Sequence, residues 1–406
     1  MSYLLQVRCK SLYLKAGGQH LNSTQFSDFE AGRGKVLVPN PAKFFRDHGH
    51  DYLVCCADFE NKALVLVKPT DLSKVRAAPF IREPLRCNAE ELLVIPFSQL
   101  ADVATEVAKD VEHVTTVFIH HTMRCGSTLL VKALQASGEM HTISESDVFT
   151  SFSRFALQKD TSEDDKEMLL DVIKHTNTLF NYTLLQNDPS KTITCYKMRG
   201  QVGPIADVLQ TALPEVKNIF LYRDVAGFVD SNNHLMAEGR FWKYWLQTAL
   251  KRDVKYVENI SDIVFPDPRN DPVFTSIPVT HGTVWFFTCI WLMLMKKAND
   301  LTKEDPHRCF HAILRYDELC MYKEDMILKV LNILGIECRD KDAKQKIREV
   351  FGVDSQEGHR LSSRGPSGGG SWVGDWEMGI VLKVIEQTNM EINQPGFVLN
   401  GTLTQI

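Results

Sequence analysis

From about residue 111 onward, short β-branched and aromatic runs alternate with stretches of helical periodicity, and this alternation constrains the fold more than any other feature of the chain. Strand–helix–strand connections of this kind lay strands side by side in a parallel sheet and put helices on its faces. Val114 to Ile119 predicts a first buried strand, followed by a short polar loop and a helix from about Ser127 to Ala136. Thr192 to Tyr196, ending at Lys197, predicts a second strand, and a helix around Ile205 to Ala212 leads to a third at Asn218 to Tyr222. Phe310 to Leu314 is a fourth, and amphipathic helices are expected at 163–180, 284–299, 325–334 and 377–389. The expected class is α/β, a three-layer arrangement around a central parallel sheet.

Residues 1 to about 110 have a different texture. Apolar runs at Tyr52–Cys56, Ala63–Val67 and Leu92–Ile95 alternate with Pro, Gly and Asp turns. They are expected to form a small strand-rich N-terminal module, with 111–406 as the α/β domain. No chemistry-bearing residues cluster there, and His20, His48 and His50, in polar loop-like sequence, read as surface residues.

The balance of 46 Lys and Arg against 51 Asp and Glu, a net charge of −5, excludes a broadly basic nucleic-acid binder but allows a local basic pocket. The first residues are broken by Arg8, Lys10 and Lys15 and hold no apolar run long enough for a signal peptide or anchor. The longest apolar stretch, Val284 to Met295, is too short to span a bilayer and predicts a buried core helix. The ten cysteines are scattered, with no CxxC pair and no Cys/His ligand cluster. Reduced thiols, a cytoplasmic location and no metal site are expected.

Chemistry concentrates at Val117 to Leu130, VFIHHTMRCGSTLL. A buried strand ends at His120–His121, the chain turns through Thr122 to Gly126, and a helix begins at Ser127–Thr128. Backbone N–H groups at such a turn converge, the helix N-terminus adds partial positive charge, and Ser127, Thr128 and Arg124 add donors. This is an oxyanion cradle. It lacks the GxxxxGK[ST] pattern of nucleoside-triphosphate loops, because Ser127 follows Gly126 where a lysine would stand. After the third strand comes RDVAGFVDS, which sets Arg223 at the strand end and Ser231 two turns into the next helix. A third element, ILRYDEL from Ile313, precedes the helix MILKVLNILGI.

These three elements, in this order, resemble the sulfotransferase family over about residues 114 to 390. HTMRCGSTLL is similar to its 5′-phosphosulfate loop in the carbohydrate- and tyrosyl-type form, LYRDVAGFVDS to its 3′-phosphate motif, and LRYDEL with LNILGI to a following strand and helix. The resemblance implies a P-loop-like fold, 3′-phosphoadenosine 5′-phosphosulfate as sulfuryl donor, and a small-molecule or glycan acceptor bearing a hydroxyl or amine. It implies that Arg124, Cys125, Gly126, Ser127 and Thr128 hold the phosphosulfate, and that Arg223 and Ser231 hold the 3′-phosphate. Lys197 matches a strand-end lysine of several members and is a second candidate cation for the leaving group. Arg199 stands where cytosolic members carry a catalytic histidine. HTISESDVF resembles another element of the family and makes Glu145 the candidate general base, with His120 and His121 as alternatives. SWVGDW resembles a cytosolic cofactor loop and suggests Arg364 as a further 3′-phosphate ligand and Trp376 as an adenine neighbour. DSQEGHRLSSR, from Asp354, resembles an element of carbohydrate-type members. A non-catalytic binding protein of the same fold, and a P-loop kinase, are the alternatives.

Overall fold

The computed structural model describes residues 1–15, 22–32, 34–158, 161–252, 257, 268, 271–275, 282–303, 305–354 and 371–404. In chain order its strands are β1 (Tyr3–Cys9), β2 (Phe29–Ala31), β3 (Val36–Leu37), β4 (Leu53–Asp58), β5 (Ala63–Pro69), β6 (Ala89–Pro96), β7 (Thr115–His121), β8 (His141–Ser144), β9 (Ile193–Lys197), β10 (Lys217–Tyr222) and β11 (Ala312–Arg315). The helices used below are α1 (Arg82–Cys87), α2 (Phe97–Val111), α3 (Ser127–Ala136), α4 (Asp147–Ala156), α5 (Glu163–Asn187), α6 (Val225–Met236), α7 (Phe241–Ala249), α8 (Gly282–Thr302), α9 (Tyr316–Ile333) and α10 (Asp375–Thr388).

Two sheets result, as the change of texture near residue 111 predicts. The N-terminal sheet is antiparallel, in the order β2-β1-β6-β5-β4 with β3 added on β1. The central sheet has the order β11-β10-β7-β9-β8, with β8 parallel to β9 and β10 parallel to β11. The protein is thus an α/β fold with a separate strand-rich N-terminal sheet. The four expected strands are all present, and α5, α8, α9 and α10 fall on the expected amphipathic stretches; α9 is two helical segments joined at a kink at Lys323 (φ 44°, ψ −118°), the second of which matches the expected 325–334. The strand β8 and helix α4 have no counterpart among the expected elements, because four residues of strand carry too little periodicity to be seen.

The compact units do not divide at residue 110. One comprises Met1–Phe118 with Glu139–Lys217, the other Ile119–Gly138 with Asn218–Ile406. The reason is packing: one cluster of buried apolar side chains runs from Leu5 and Leu93 through Phe149, Phe180 and Tyr196 to Val216, so the N-terminal sheet shares its core with α4, α5 and β9. Polar ties reinforce it within that unit. Thr183 Oγ1 donates to the Gly49 carbonyl (3.1 Å), and Tyr182 donates to the Arg46 carbonyl (2.7 Å).

In the second unit α8 is buried almost end to end, from Val284 and Trp285 to Ala298, which makes it the core helix its apolar run predicts. Among the described residues no helix is long and apolar enough to cross a membrane. His48 and His50 are exposed, as expected, while His20 lies outside the described residues.

Candidate functional site

In the second unit the loop after β7 is held from below. The Thr122 N–H donates to the Leu221 carbonyl (3.1 Å), and the buried Cys125 thiol points at the same oxygen (3.4 Å). Cys125 therefore anchors the loop on β10 through its sulfur, leaving only its backbone to face a ligand. The loop then makes a tight reversal with positive φ at Met123 (62°), Arg124 (46°) and Gly126 (83°). Left-handed backbone costs a non-glycine residue about 1–2 kcal/mol, so two such residues in a row mark a conformation imposed by its surroundings. The first intrahelical bond of α3 runs from the Leu130 N–H to the Gly126 carbonyl (2.9 Å). The N–H groups of Ser127, Thr128 and Leu129 precede it, at the positive end of the helix dipole.

Two arginines, one in the loop and one at the end of β10, stand out in this unit. Arg124 Nε donates to Ser231 Oγ (3.0 Å), joining the loop to α6. Arg223 leaves β10 with its carbonyl accepting from Trp291 Nε1 (2.8 Å), and Asp224 caps α6 by accepting from the Gly227 N–H (2.9 Å). The Arg223 guanidinium lies 4.7 Å from the ring centroid of Tyr316, a cation–π contact. Its Nε is buried and has no hydrogen-bond partner among the described residues.

Two glycines make this packing possible. A Cβ at Gly227 would stand 2.3 Å from Arg223 Nε, and one at Gly126 would stand 2.6 Å from the Tyr316 ring. Tyr316 thus has its ring edge against the loop and its face toward Arg223. Sequence reasoning read the RYDEL element without giving Tyr316 a role; its signal was an aromatic residue directly after the strand.

Asp230, beside Ser231, accepts from the Trp372 N–H (2.6 Å) and from Ser371 Oγ (3.2 Å). Trp372 stacks on His234 with ring centroids 3.6 Å apart. The tryptophan packed here is Trp372; Trp376 opens α10 with half its surface exposed. Arg364 and residues 355–364 of the DSQ element lie outside the described residues.

The two bordering histidines are buried. His120 Nε2 is 3.2 Å from Asn218 Oδ1, and burial pushes its pKa down to about 4. His121 Nδ1 accepts from the Met123 N–H (2.9 Å).

Glu145 and Lys197 lie together in the first unit. Ser144 pairs in register with Lys197, and the Glu145 N–H donates to the Lys197 carbonyl (2.8 Å), so both side chains leave the same end of adjacent parallel strands. Lys197 Nζ is 2.7 Å from Glu145 Oε1 and 4.5 Å from the ring centroid of Phe80. Arg82 Nε is 3.5 Å from Glu145 Oε2, with Glu83 3.4 Å from the same guanidinium. Arg199 pairs with the buried Asp147 (3.0 Å), whose other oxygen accepts from the Thr24 N–H (2.7 Å). Burial by itself would raise the Glu145 pKa, but Lys197, Arg82 and Arg199 outweigh it and hold the carboxyl at about 2. Burial, reinforced by the charge of Arg82, pushes Arg199 downward against the pull of Asp147 and Glu145. The N-terminal module, which holds no visible cluster in its own sequence, supplies Arg82 to this one.

No protein-family model matches the chain, and no curated protein matches it. Among solved structures the chain is similar to a sulfotransferase from Alicyclobacillus acidocaldarius, at 13% identity over 60% of this chain and 94% of that one, with a TM-score of 0.35. It is similar to the sulfotransferase domain of the Synechococcus PCC 7002 olefin synthase, at 12% identity over 62% and 80%, with a TM-score of 0.30. A third likeness is to retinol dehydratase in complex with androsterone and the inactive cofactor PAP, at 13% identity over 75% and 92%, with a TM-score of 0.34.

Proposed function

We propose that the chain is a sulfotransferase that moves the sulfuryl group of 3′-phosphoadenosine 5′-phosphosulfate to a hydroxyl or amine of a small-molecule or glycan acceptor. The observation that supports this best is Arg223, a half-buried arginine whose buried Nε has no hydrogen-bond partner among the described residues, standing on Tyr316 in the unit that holds the Arg124–Ser231 contact. An arginine so arranged suits an anionic ligand. The backbone of Cys125 and Gly126, the hydroxyls of Ser127 and Thr128, and Arg124 would hold the 5′-phosphosulfate. Arg223 and Ser231 would hold the 3′-phosphate, with Arg364 as a further ligand. Ser231 accepts from Arg124 through its oxygen lone pair, so its own proton remains to be donated.

The donor supplies an activated sulfuryl group. In the transfer the acceptor oxygen or nitrogen forms a bond to sulfur, the sulfur–oxygen bond to phosphate breaks, and negative charge collects on the departing phosphate. Arg124 would neutralise that charge, with Lys197 as the second cation, and Glu145 would take the acceptor's proton. Both Glu145 carboxylate oxygens already face cations, Lys197 at 2.7 Å and Arg82 at 3.5 Å, which supports a second reading, a binding protein of the same fold without turnover.

Isothermal titration with 3′,5′-adenosine bisphosphate, AMP and ATP tests the donor. The bisphosphate should bind ~10- to 150-fold tighter than AMP, the worth of one charge-assisted hydrogen-bonded contact, and Arg223→Ala should erase that preference. Preference for ATP, with activity that EDTA abolishes and magnesium restores, would favour a kinase. A labelled-sulfate transfer screen then separates enzyme from binding protein. In an active enzyme Glu145→Gln should lower kcat by ~10²–10⁴-fold at unchanged bisphosphate affinity if Glu145 is the base, and His120→Ala and His121→Ala should not.

A further inference from the structure

Helix α7 presents apolar side chains that folding has left in water. Trp242 and Trp245 are each 61% exposed, and Phe241, Leu246 and Leu250 are exposed beside them. The opposite face is used: Tyr244 is buried, stacks on Trp372 and donates its hydroxyl to Glu377 Oε1 (3.1 Å). Positions 242, 245, 246 and 249 form one stripe of a helix, so both indoles stand away from Tyr244. Large apolar side chains exposed together along one helix mark an interaction surface.

Within α7 and its immediate flanks basic residues predominate, with Glu238 and Asp253 just outside them. The run Arg240 to Arg252, RFWKYWLQTALKR, holds four basic residues and no acidic one, in a chain whose net charge is −5. Arg240, Lys251 and Arg252 are exposed, while Lys243 is paired with Glu238 (2.7 Å). Indole rings prefer the boundary between water and hydrocarbon, and a basic rim around apolar side chains is complementary to anionic headgroups.

We propose that α7 is an interfacial anchor that lies on an anionic lipid bilayer. Trp242, Trp245, Leu246 and Leu250 enter the headgroup–acyl boundary, and Arg240, Lys251 and Arg252 meet lipid phosphates. Leu246 and Leu250 offer a saccharide neither a flat face nor a hydrogen bond. A two-fold contact between copies of the patch would set a basic rim against its like. The anchor does not rest on the sulfotransferase reading.

Flotation of the full chain with vesicles tests it, using phosphatidylcholine alone and three parts phosphatidylcholine to one part phosphatidylserine. The chain should float with the phosphatidylserine vesicles, weakly with phosphatidylcholine, and release at high salt. Trp242→Ala with Trp245→Ala, and separately Lys251→Glu with Arg252→Glu, should each lower partitioning by ~10-fold or more at unchanged thermal stability. Failure of the wild-type chain to float, equal flotation of either double variant, or equal binding to both vesicles at every salt would overturn the proposal. So would a dimer in sedimentation that the double tryptophan variant dissociates, with no vesicle binding.

Discussion

Each unit of the molecule gathers cations, and the two differ in what stands beside them. In the first unit Arg82, Lys197 and Arg199 all have a carboxylate of Glu83, Glu145 or Asp147 within 3.5 Å. In the second, Arg124 rests on the hydroxyl of Ser231, and Arg223 faces the ring of Tyr316 and makes no ion pair among the described residues. A buried cation matched by a carboxylate has its field cancelled locally, and its desolvation is offset by its partner. A cation seated on an aromatic face, as Arg223 is on Tyr316, keeps its charge to offer an incoming anion. Paired charge steadies the first unit, whereas the Arg223 guanidinium, seated against Gly227, remains available to an anion.

The largest effect that can break this distinction is on stability. Removing one partner of a buried ion pair costs about 3–5 kcal/mol, so Lys197→Ala should lower the unfolding free energy by that order. Arg223→Ala removes no ion pair and should cost below ~1 kcal/mol. Urea unfolding of both variants decides, and equal losses would abolish the contrast.

Acid offers a second route. The Glu145 carboxyl is depressed from 4.5 in its ordinary setting to about 2. A depressed acid stabilises the fold above its unfolded value and loses that contribution as pH falls through its folded value. The window is therefore from about pH 4.5 down to 2, with a loss on the order of 3 kcal/mol. Urea midpoints for wild type and Glu145→Gln between pH 5 and 3 should converge as the solution is acidified. Parallel curves would mean that Glu145 is not ionically held.

The smallest effect sharpens the other side. At Gly227 an added methyl meets the mobile end of Arg223, so Gly227→Ala should displace the guanidinium at little cost to the fold. Thermal stability should hold within ~1 kcal/mol, helped by the helix preference for Ala over Gly, while affinity for 3′,5′-adenosine bisphosphate falls ~10-fold. A stabilised variant with unchanged affinity would show that Arg223 does not need its present position.

Much of this was legible in the chain itself. The βα alternation after residue 111 gives the central sheet because β-branched runs and helical periodicity are local properties. The loop at Thr122–Thr128 is local too: a strand end, a glycine with positive φ and a helix start lie within a few residues. Arg223 and Ser231 could be read together because one strand end and one helix fix their spacing. Partners from far along the chain could not. Arg82 on α1 reaches Glu145 after β8, Tyr316 reaches Arg223, and the N-terminal sheet shares its core with α5 and β9. The outward turn of Trp242 and Trp245 is of the same kind, since hydrophobicity alone would place them inside. Sequence determines what each segment can form and which charges it carries; which charges are cancelled, which remain available and which apolar faces stay uncovered depend on contacts between distant segments, and those exist only once the chain has closed on itself.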